Sequence, residues 1–569
     1  MVTGMSCVRL LVVLLATSVV AACGAGGDDD GGPDPSEAIY EPTHLLEVDI
    51  EVAQADWDTM RFQTRGLSAL FGNCLAEPFP DPFTYFPGVV RIDGQVVTQV
   101  GVRKKGFLGS LDTTKPSLKL KFDEFVVDQR FAGLKTLTLN NAKQDPSYIK
   151  QCLTYQTFAA AGVPASRCNF ARVRVNGNDM GLYVNVEAIT KPMLRRHFAD
   201  DEGNLYEGTL SDFRDGWLGT FELKTNEMLN DRSDLAALTT ALEATDAQLL
   251  TALDPHVDVD GFLTFWATET LVGHWDGYTG NANNFYAYHD PVSGRFQFLP
   301  WGVDGVLEAR DNPFGGGGST AVQVTSMLPR RLYQLPETRD RYIARLRALL
   351  DDVWDVEAMF AEIDRMEELV RPVVLVADRE QFATAVNDVR AFVSGRRAAI
   401  EADLAGGPPA VTAPLRDPPC FDEIGMLSGS FSTRWGTTGA PDPFATGSGS
   451  VSGTVNGTPL SVTRVGGTAG MDPNANPPRA QVAVIAALAD GTAGIIVFQI
   501  EPSRMAANTD LPIDLSTVVG VVYHFTPATN AFVLVGLVGD GTLRIGEYSA
   551  TDGATVTGSF SGTLIQSPF

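Results

Sequence analysis

The runs HWDGYTGNANNFYAYHD (274–290) and FLPWGVDGV (298–306) hold the residues best suited to chemistry. Asp276 stands at the end of a helical stretch. Asn281, Asn283 and Asn284 follow just before a strand, and Asp304 comes just after the next one. Two acids and an amide around a pair of adjacent strands offer hard oxygen ligands. Such ligands suit Mg²⁺, which keeps part of its water shell and takes few protein groups. One acid orienting an acceptor hydroxyl, with an amide and a second acid holding metal against phosphates, is an arrangement for phosphoryl transfer. Other common catalytic signatures are missing: HExxH, GxSxG and GxxxxGK[ST] do not occur. The six histidines show no ligand spacing.

Phosphate also needs cations. In SLKLKF (117–122), Leu118, Leu120 and Phe122 face one side of a strand, and Lys119 and Lys121 the other. Arg103, Lys104, Lys105 and Lys115 are nearby in sequence. This basic strip stands out in a chain with 43 Lys and Arg against 69 Asp and Glu, a net charge of −26. That charge repels phosphate backbones and speaks against general nucleic-acid binding. YVNVEAI (183–189), at the crossover to a helix-rich half, reads as a hinge. Its backbone would pair with adenine, and Glu187 would accept from the nucleoside.

The elements that must position these residues can be read along the chain. A strand at 44–52 and a helix start at 53–61 precede a loop-like stretch. VVRIDGQVV is a hairpin turning at Asp93-Gly94. LKTLTLNN (134–141) is a strand, a helix runs from about Asp145 to Ala161, and ARVRVNGNDMGLYVNVEAI is another hairpin. Helical stretches follow at 191–198, 231–252 and 258–274, and then come the two strands of the acid–amide group. Residues 302–326 form a Gly-rich loop, and 328–404 is helical by its apolar spacing. Residues 405–427 are a Pro-rich linker. From 428 to 569, short Gly-, Ser-, Thr- and Val-rich strands with frequent turns predict a separate β-sandwich or barrel. With 44% hydrophobic and 20% charged residues, the chain can build ordinary cores.

The ordered series GVRKKG, KPSLKLKF, FAGLKTLTLNNAKQDPSYIKQCLTYQTFAAAGVPASR, VRVNGNDMGLYVNVEAITKPML, GNLYEG, HWDGYTGNANNFYAYHD and FLPWGVDGV resembles the CotH kinase family, the spore-coat-type atypical secreted kinases. The resemblance implies an α+β, kinase-like two-lobe domain over residues 39–404, with a β-rich N-lobe and a helical C-lobe. It implies transfer of phosphate from ATP, with Mg²⁺ or Mn²⁺, to Ser or Thr of an envelope or secreted protein. Carried over by position, Asp276 is the catalytic-loop aspartate, Asn284, with Asn283 beside it, the metal-site asparagine, and Asp304 the second metal ligand. Lys119 or Lys121 is the phosphate lysine, with Arg103 as a second phosphate contact. Three features depart from the family pattern. PWDxD reads Pro300-Trp301-Gly302-Val303-Asp304, so its first acid is absent. No conventional Gly-rich loop occurs, leaving GVRKKGFLGS to cover the phosphates. The helix at 147–161 has no Glu for the usual Lys–Glu pair, with Gln151 or Gln156 as substitutes. A scaffold or adhesin that has lost catalysis, or another nucleotidyl or phosphoryl transfer, is the competing expectation.

The N-terminus reads as an export signal. Arg9 precedes an apolar run from Leu10 to Val20, too short to span a bilayer. Val20-Ala21-Ala22-Cys23 resembles a lipobox, so residues 1–22 are the expected signal, Cys23 the lipidated residue and 23–38 an acidic, Gly-rich tether. This predicts a lipid-anchored envelope protein, with Gly24 pointing to the outer membrane. Export permits disulfides. Cys74, Cys152, Cys168 and Cys420 allow three pairings, which the sequence does not separate.

Overall fold

The computed structural model describes residues 34–566, apart from 66, 108, 309–318, 476–477 and 515–516. The export signal, Cys23 and most of the tether lie outside the described residues. No helix among the described residues is long and apolar enough to cross a membrane.

Among the described residues, seven strands build the first half: β1 (Leu45–Val52), β2 (Phe86–Ile92), β3 (Gln95–Lys105), β4 (Ser117–Lys121), β5 (Thr136–Asn140), β6 (Cys168–Val175) and β7 (Asn178–Val186). They close into a barrel in the order β1-β2-β3-β4-β5-β7-β6, the form that the expected β-rich lobe takes. Closure comes from β1, which pairs antiparallel with β2 and parallel with β6. Val48 thus lies between Ile92 and Val173. The period-two pattern of β4 puts Leu118, Leu120 and Phe122 inside with Leu46, Val48 and Ile50, all essentially inaccessible to solvent. Each such burial is worth about 1.5–3 kcal/mol, enough to fix the register that sends Lys119 outward.

Helix α1 (Gln54–Arg61) follows β1, and α2 (Lys150–Ala160) lies between β5 and β6. The predicted start of α2 at Asp145 is five residues early. The Asp145 carboxylate accepts from the backbone N–H of Ser147 and Lys150, both at 3.0 Å, and holds 145–149 as a turn. A Cys152–Cys168 disulfide ties α2 to β6.

The second half contains α3 (Lys191–His197), β8 (Asn204–Gly208), β9 (Phe221–Leu223), α4 (Ser233–Leu242), α5 (Leu249–Leu253), α6 (Val259–Val272), α7 (Tyr278–Asn281), β10 (Phe285–Asp290) and β11 (Arg295–Pro300), then α8 (Met327–Gln334), α9 (Pro336–Asp352), α10 (Val356–Val370) and α11 (Arg379–Leu404). The four strands form one sheet in the order β11-β10-β8-β9. Helix α6 is apolar on nearly every face and is buried accordingly. Its Trp266 stacks on Tyr342 of α9 with ring centroids 3.8 Å apart. The Asp258 carboxylate caps its start and Gly273, at φ 70°, ends it. That left-handed turn delivers the chain into His274-Trp275-Asp276.

The C-terminal region is a single ten-stranded sheet made of β12 (Asp422–Arg434), β13 (Ser448–Val455), β14 (Thr458–Pro459), β15 (Val462–Asp472), β16 (Arg479–Leu488), β17 (Ala493–Ile500), β18 (Thr509–Ile513), β19 (Val518–Thr526), β20 (Ala531–Ile545) and β21 (Thr555–Gln566). It curls until the end of β12 meets β15, where Trp435 bridges to Ala469. It has its own core around Phe431, Phe498 and Phe560. It also leans on the barrel side, where Ile565 and Leu537 join Leu70, Phe79 and Phe107.

The predicted linker is a packed strap, and its last residues, from Asp422, already belong to β12. The carbonyls of Pro409, Ala413 and Arg416 accept from Tyr333, Arg330 and Arg214. The Arg416 N–H donates to Thr325 at 2.7 Å. Proline removes donors but leaves carbonyls, so a Pro-rich segment can be held by side chains from its neighbours. Cys74–Cys420, separated by 346 residues, fastens the end of the strap to loop 62–85. Breaking a crosslink over so long a loop is expected to cost about 2–5 kcal/mol. Cys420→Ser should therefore melt clearly below the wild type in a thermal scan. An unchanged melting temperature would show that the strap is held without the bond.

Candidate active site

A cavity of about 1040 Å³ separates the barrel from the helical half. Lys105, Lys119 and Arg103 reach it from the barrel, Gln151 and Tyr155 from α2, and Asp276, Asn283, Asn284, Trp301, Gly302 and Asp304 from the helical half. The acid–amide group and the basic strip thus share one cleft.

Asp276 is held by all three asparagines. Asn281 and Asn283 donate to its Oδ1 at 2.6 and 3.1 Å, and Asn284 donates to its Oδ2 at 2.8 Å. The Asn283 Oδ1 accepts from the backbone of Leu210, so that amide is fixed at both ends. Below the loop, buried Glu269 accepts from the N–H groups of Tyr278 and Thr279 at 3.0 and 2.9 Å and from the Thr279 hydroxyl at 2.7 Å. The loop geometry is therefore set by a carboxylate of α6 rather than by the loop alone. Burial raises the Asp276 carboxyl above the usual carboxylate range, while Asn281 and Asn283 pull it back.

Asp304 follows β11. Burial, and then the neighbouring Asp276 charge, push it up to about 6. Gly302 explains the missing acid of the motif. Its φ is +55°, and a Cβ there would lie 2.5 Å from the Asn284 Oδ1. In this chain the space belongs to Asn284. Among the described residues no group of three or more His, Cys, Asp and Glu converges, so a cation here would rest on Asp304 and asparagine oxygen, as Mg²⁺ tolerates.

The structure sorts the predicted cations. Lys119 lines the cavity and forms no salt bridge among the described residues; burial, then Arg103 and Lys224, lower it to about 8. Lys121, two residues on, lies outside the cavity. It pairs with Glu124 at 2.7 Å and sits over Tyr85. Arg103 reaches the cleft but donates to Asp81 at 2.6 Å. Glu187 is not at the cleft. Arg167 and Arg196 both clamp its buried carboxylate, and they outweigh burial to hold it below the usual range. A hinge contact through this side chain would require breaking two charge-assisted pairs, which the sequence reading did not anticipate. If the cleft takes ATP, as the resemblance implies, Lys119→Ala should raise the KM for ATP about tenfold or more, as expected for a lost charge-assisted contact, and Lys121→Ala should leave it near wild type. Equal effects in steady-state kinetics would contradict this sorting.

Lys105, at the end of the basic strip, also lines the cleft, and the Asp304 charge acts on it. Its Nζ donates to the Asn140 Oδ1 at 2.6 Å, and the Asn140 amide donates to the Gln151 Oε1 at 2.8 Å. Burial lowers it to about 8, and Lys119 adds to that while Glu207 and Asp304 oppose it. The α2 link expected of a Glu is thus made by Gln151 through Asn140. Gln156, the other substitute, instead binds Glu362 of α10 at 2.7 Å. Also on α2, Lys150 pairs with Glu308 at 2.7 Å, just past Asp304. Gly106, Phe107 and Ser110, part of GVRKKGFLGS, line the cavity beside Lys105. The signal for Lys105 was its place at the end of a strand, immediately before a glycine.

The CotH kinase protein family model matches residues 91–400. Inner spore coat protein H of Bacillus subtilis is 24% identical over 283 residues, covering 47% of this chain and 75% of that protein. Invasin CotH2 of Rhizopus delemar is 25% identical over 183 residues, covering 29% of this chain and 31% of that protein. Among solved structures, the Helicobacter pylori proinflammatory kinase CtkA aligns with 53% of this chain and 94% of its own, at 12% identity and a TM-score of 0.27. The matched span contains Lys105, Lys119, Asp276, Asn284 and Asp304, and the chain belongs to the CotH kinase protein family.

Proposed function

We propose that the chain is an exported protein kinase that moves the γ-phosphate of ATP to Ser or Thr of an envelope or secreted protein. The observation that carries this reading is one cleft with Asp276 and Asp304 on one wall and Lys105 and Lys119 on the other. Neither lysine has a carboxylate in salt-bridge contact among the described residues, and burial depresses both. A polyphosphate would supply the missing anion.

The donor set fits a divalent cation. Asp304 and Asp276 are two carboxylates that burial and mutual repulsion disfavour as anions, and Asn284 faces the same space. Asp304 and Asn284, with Asn283 beside them, would hold Mg²⁺ or Mn²⁺, and such an ion neutralises charge on the phosphates. Asp276, steered by its three amides, orients the acceptor hydroxyl and takes up its proton. The acceptor oxygen then bonds to the γ-phosphorus as the bond to the β–γ bridging oxygen breaks and ADP leaves. Lys105 and Lys119 hold the phosphate oxygens, with Trp301 and Tyr155 lining the cleft around them. Such catalysis is mainly positioning and electrostatics.

The names of the two curated relatives, a spore coat protein and an invasin, support a place at the cell surface. The expected export signal and Cys23 support lipid anchoring in the envelope, with the acceptor protein reached there. The test is label transfer from γ-labelled ATP to envelope proteins by the purified full-length chain with Mg²⁺ or Mn²⁺. Acid-stable label on Ser or Thr that is lost in Asp276→Asn supports the reading. Label that persists in that variant contradicts the role given to Asp276.

A further inference from the structure

The cleft lacks a Gly-rich cover of conventional sequence, and described residues of the 62–85 stretch line it instead. Arg65, Phe79, Asp81 and Phe83 of this loop line the cavity with the turn residue Phe107. The Arg65 guanidinium carbon lies 5.3 Å from the Phe107 ring centroid and 5.9 Å from that of Phe83. Its Nε is shielded from solvent with no hydrogen-bond partner, and no salt bridge forms to it among the described residues. Asp81, the nearest acid on the loop, is engaged by Arg103 at 2.6 Å. Asp81, Glu207 and Glu222 act on the half-buried guanidinium without a salt bridge among the described residues, so an anion that reached it would be its first direct charged partner.

We propose that Arg65 is a phosphate-binding residue of the cleft, reaching the ATP phosphate chain from loop 62–85. This rests on the kinase reading above. A guanidinium fork matches phosphate oxygens two at a time, and the Phe107 ring supports it from one side. The loop that carries it is gripped from the far side. Cys74 is bonded to Cys420, and the Phe421 N–H donates to the Leu70 carbonyl at 2.7 Å. Phe79 packs edge-on against Phe107 at 5.4 Å, in a cluster with Ile565 and Leu537 of the C-terminal sheet. The C-terminal sheet thus braces the phosphate cover, which gives that domain a part in nucleotide binding.

The experiment is calorimetric titration of the full-length chain with ATP, ADP and AMP in Mg²⁺, and with inorganic tripolyphosphate. Arg65→Ala should weaken ATP and ADP binding about tenfold or more, in line with a charge-assisted contact, and leave AMP binding unchanged. Arg65→Lys should recover part of the loss. Arg65→Gln keeps the stem against Phe107 and should behave like alanine, which separates charge from packing. Wild-type affinity for ATP in both Arg65→Ala and Arg65→Gln overturns the proposal. If the wild type binds tripolyphosphate through Arg65 but not ATP, the anion site stands and the kinase reading falls. If it binds neither, both fall.

Discussion

Asp276→Asn is expected to lower the phosphoryl-transfer rate by about 10² to 10⁴ with little change in the KM for ATP, the range found when a positioned proton acceptor is lost. The split follows from where Asp276 sits. Its carboxylate is aimed by Asn281, Asn283 and Asn284, and the phosphate cations are on the opposite wall. Removing it takes away the group that orients the acceptor, not the groups that hold nucleotide. The substitution sets an amide N–H₂ against amide donors, a conflict worth about 1–3 kcal/mol. It also removes one of two half-buried acids, of which Asp276 raises Asp304, and that offsets part of the cost. Circular dichroism and thermal unfolding near wild type should accompany the kinetic loss. A large rise in the KM for ATP with an unchanged kcat would move Asp276 from the acceptor to the nucleotide.

Asp304→Asn carries the second large effect, with opposite signs for stability and function. Burial and Asp276 hold the Asp304 carboxyl up to about 6 in the metal-free protein. A carboxyl raised above its unfolded value is bound to a proton more tightly when folded. Its ionised form therefore costs stability, and the cost grows from about pH 4 to pH 6 and is complete above that. At pH 7.5 the asparagine variant escapes this cost, an upper bound of about 3 kcal/mol. Without metal it should melt above the wild type at pH 7.5, and the advantage should vanish near pH 4. The same variant should lose the Mg²⁺-dependent part of ATP binding. A variant that is less stable than wild type at pH 7.5 without metal would show that Asp304 is held by contacts the ionised form needs.

The acid–amide group was legible because its members lie within one short run, so strand spacing alone brings them together. The parity of β4 was legible for the same reason, and it put Lys119 and Lys121 on one face. It could not tell which lysine faces the cleft, because Glu124 and Tyr85 draw Lys121 aside. Glu187 misled because Arg167 and Arg196, which flank it in sequence, leave no mark of pairing in a linear reading. Closure of the barrel was hidden in the parallel β1–β6 pairing, a contact between strands more than a hundred residues apart. The strap was hidden by its prolines, since composition reports missing donors but not carbonyls that neighbours can use. Arg65 lay in a stretch with no periodicity, and only the placement of Phe83, Phe107 and the C-terminal sheet gives it a role.

The central claim is that the cleft is a metal-dependent ATP site, and calorimetric titration of the full-length chain with ATP tests it most directly, with and without Mg²⁺ or Mn²⁺. The account predicts saturable binding of one ATP per chain that strengthens with metal, weakens in Lys119→Ala and loses its metal dependence in Asp304→Asn. Absence of binding at millimolar ATP with either metal, in protein that unfolds cooperatively, would contradict it and leave a kinase-shaped scaffold.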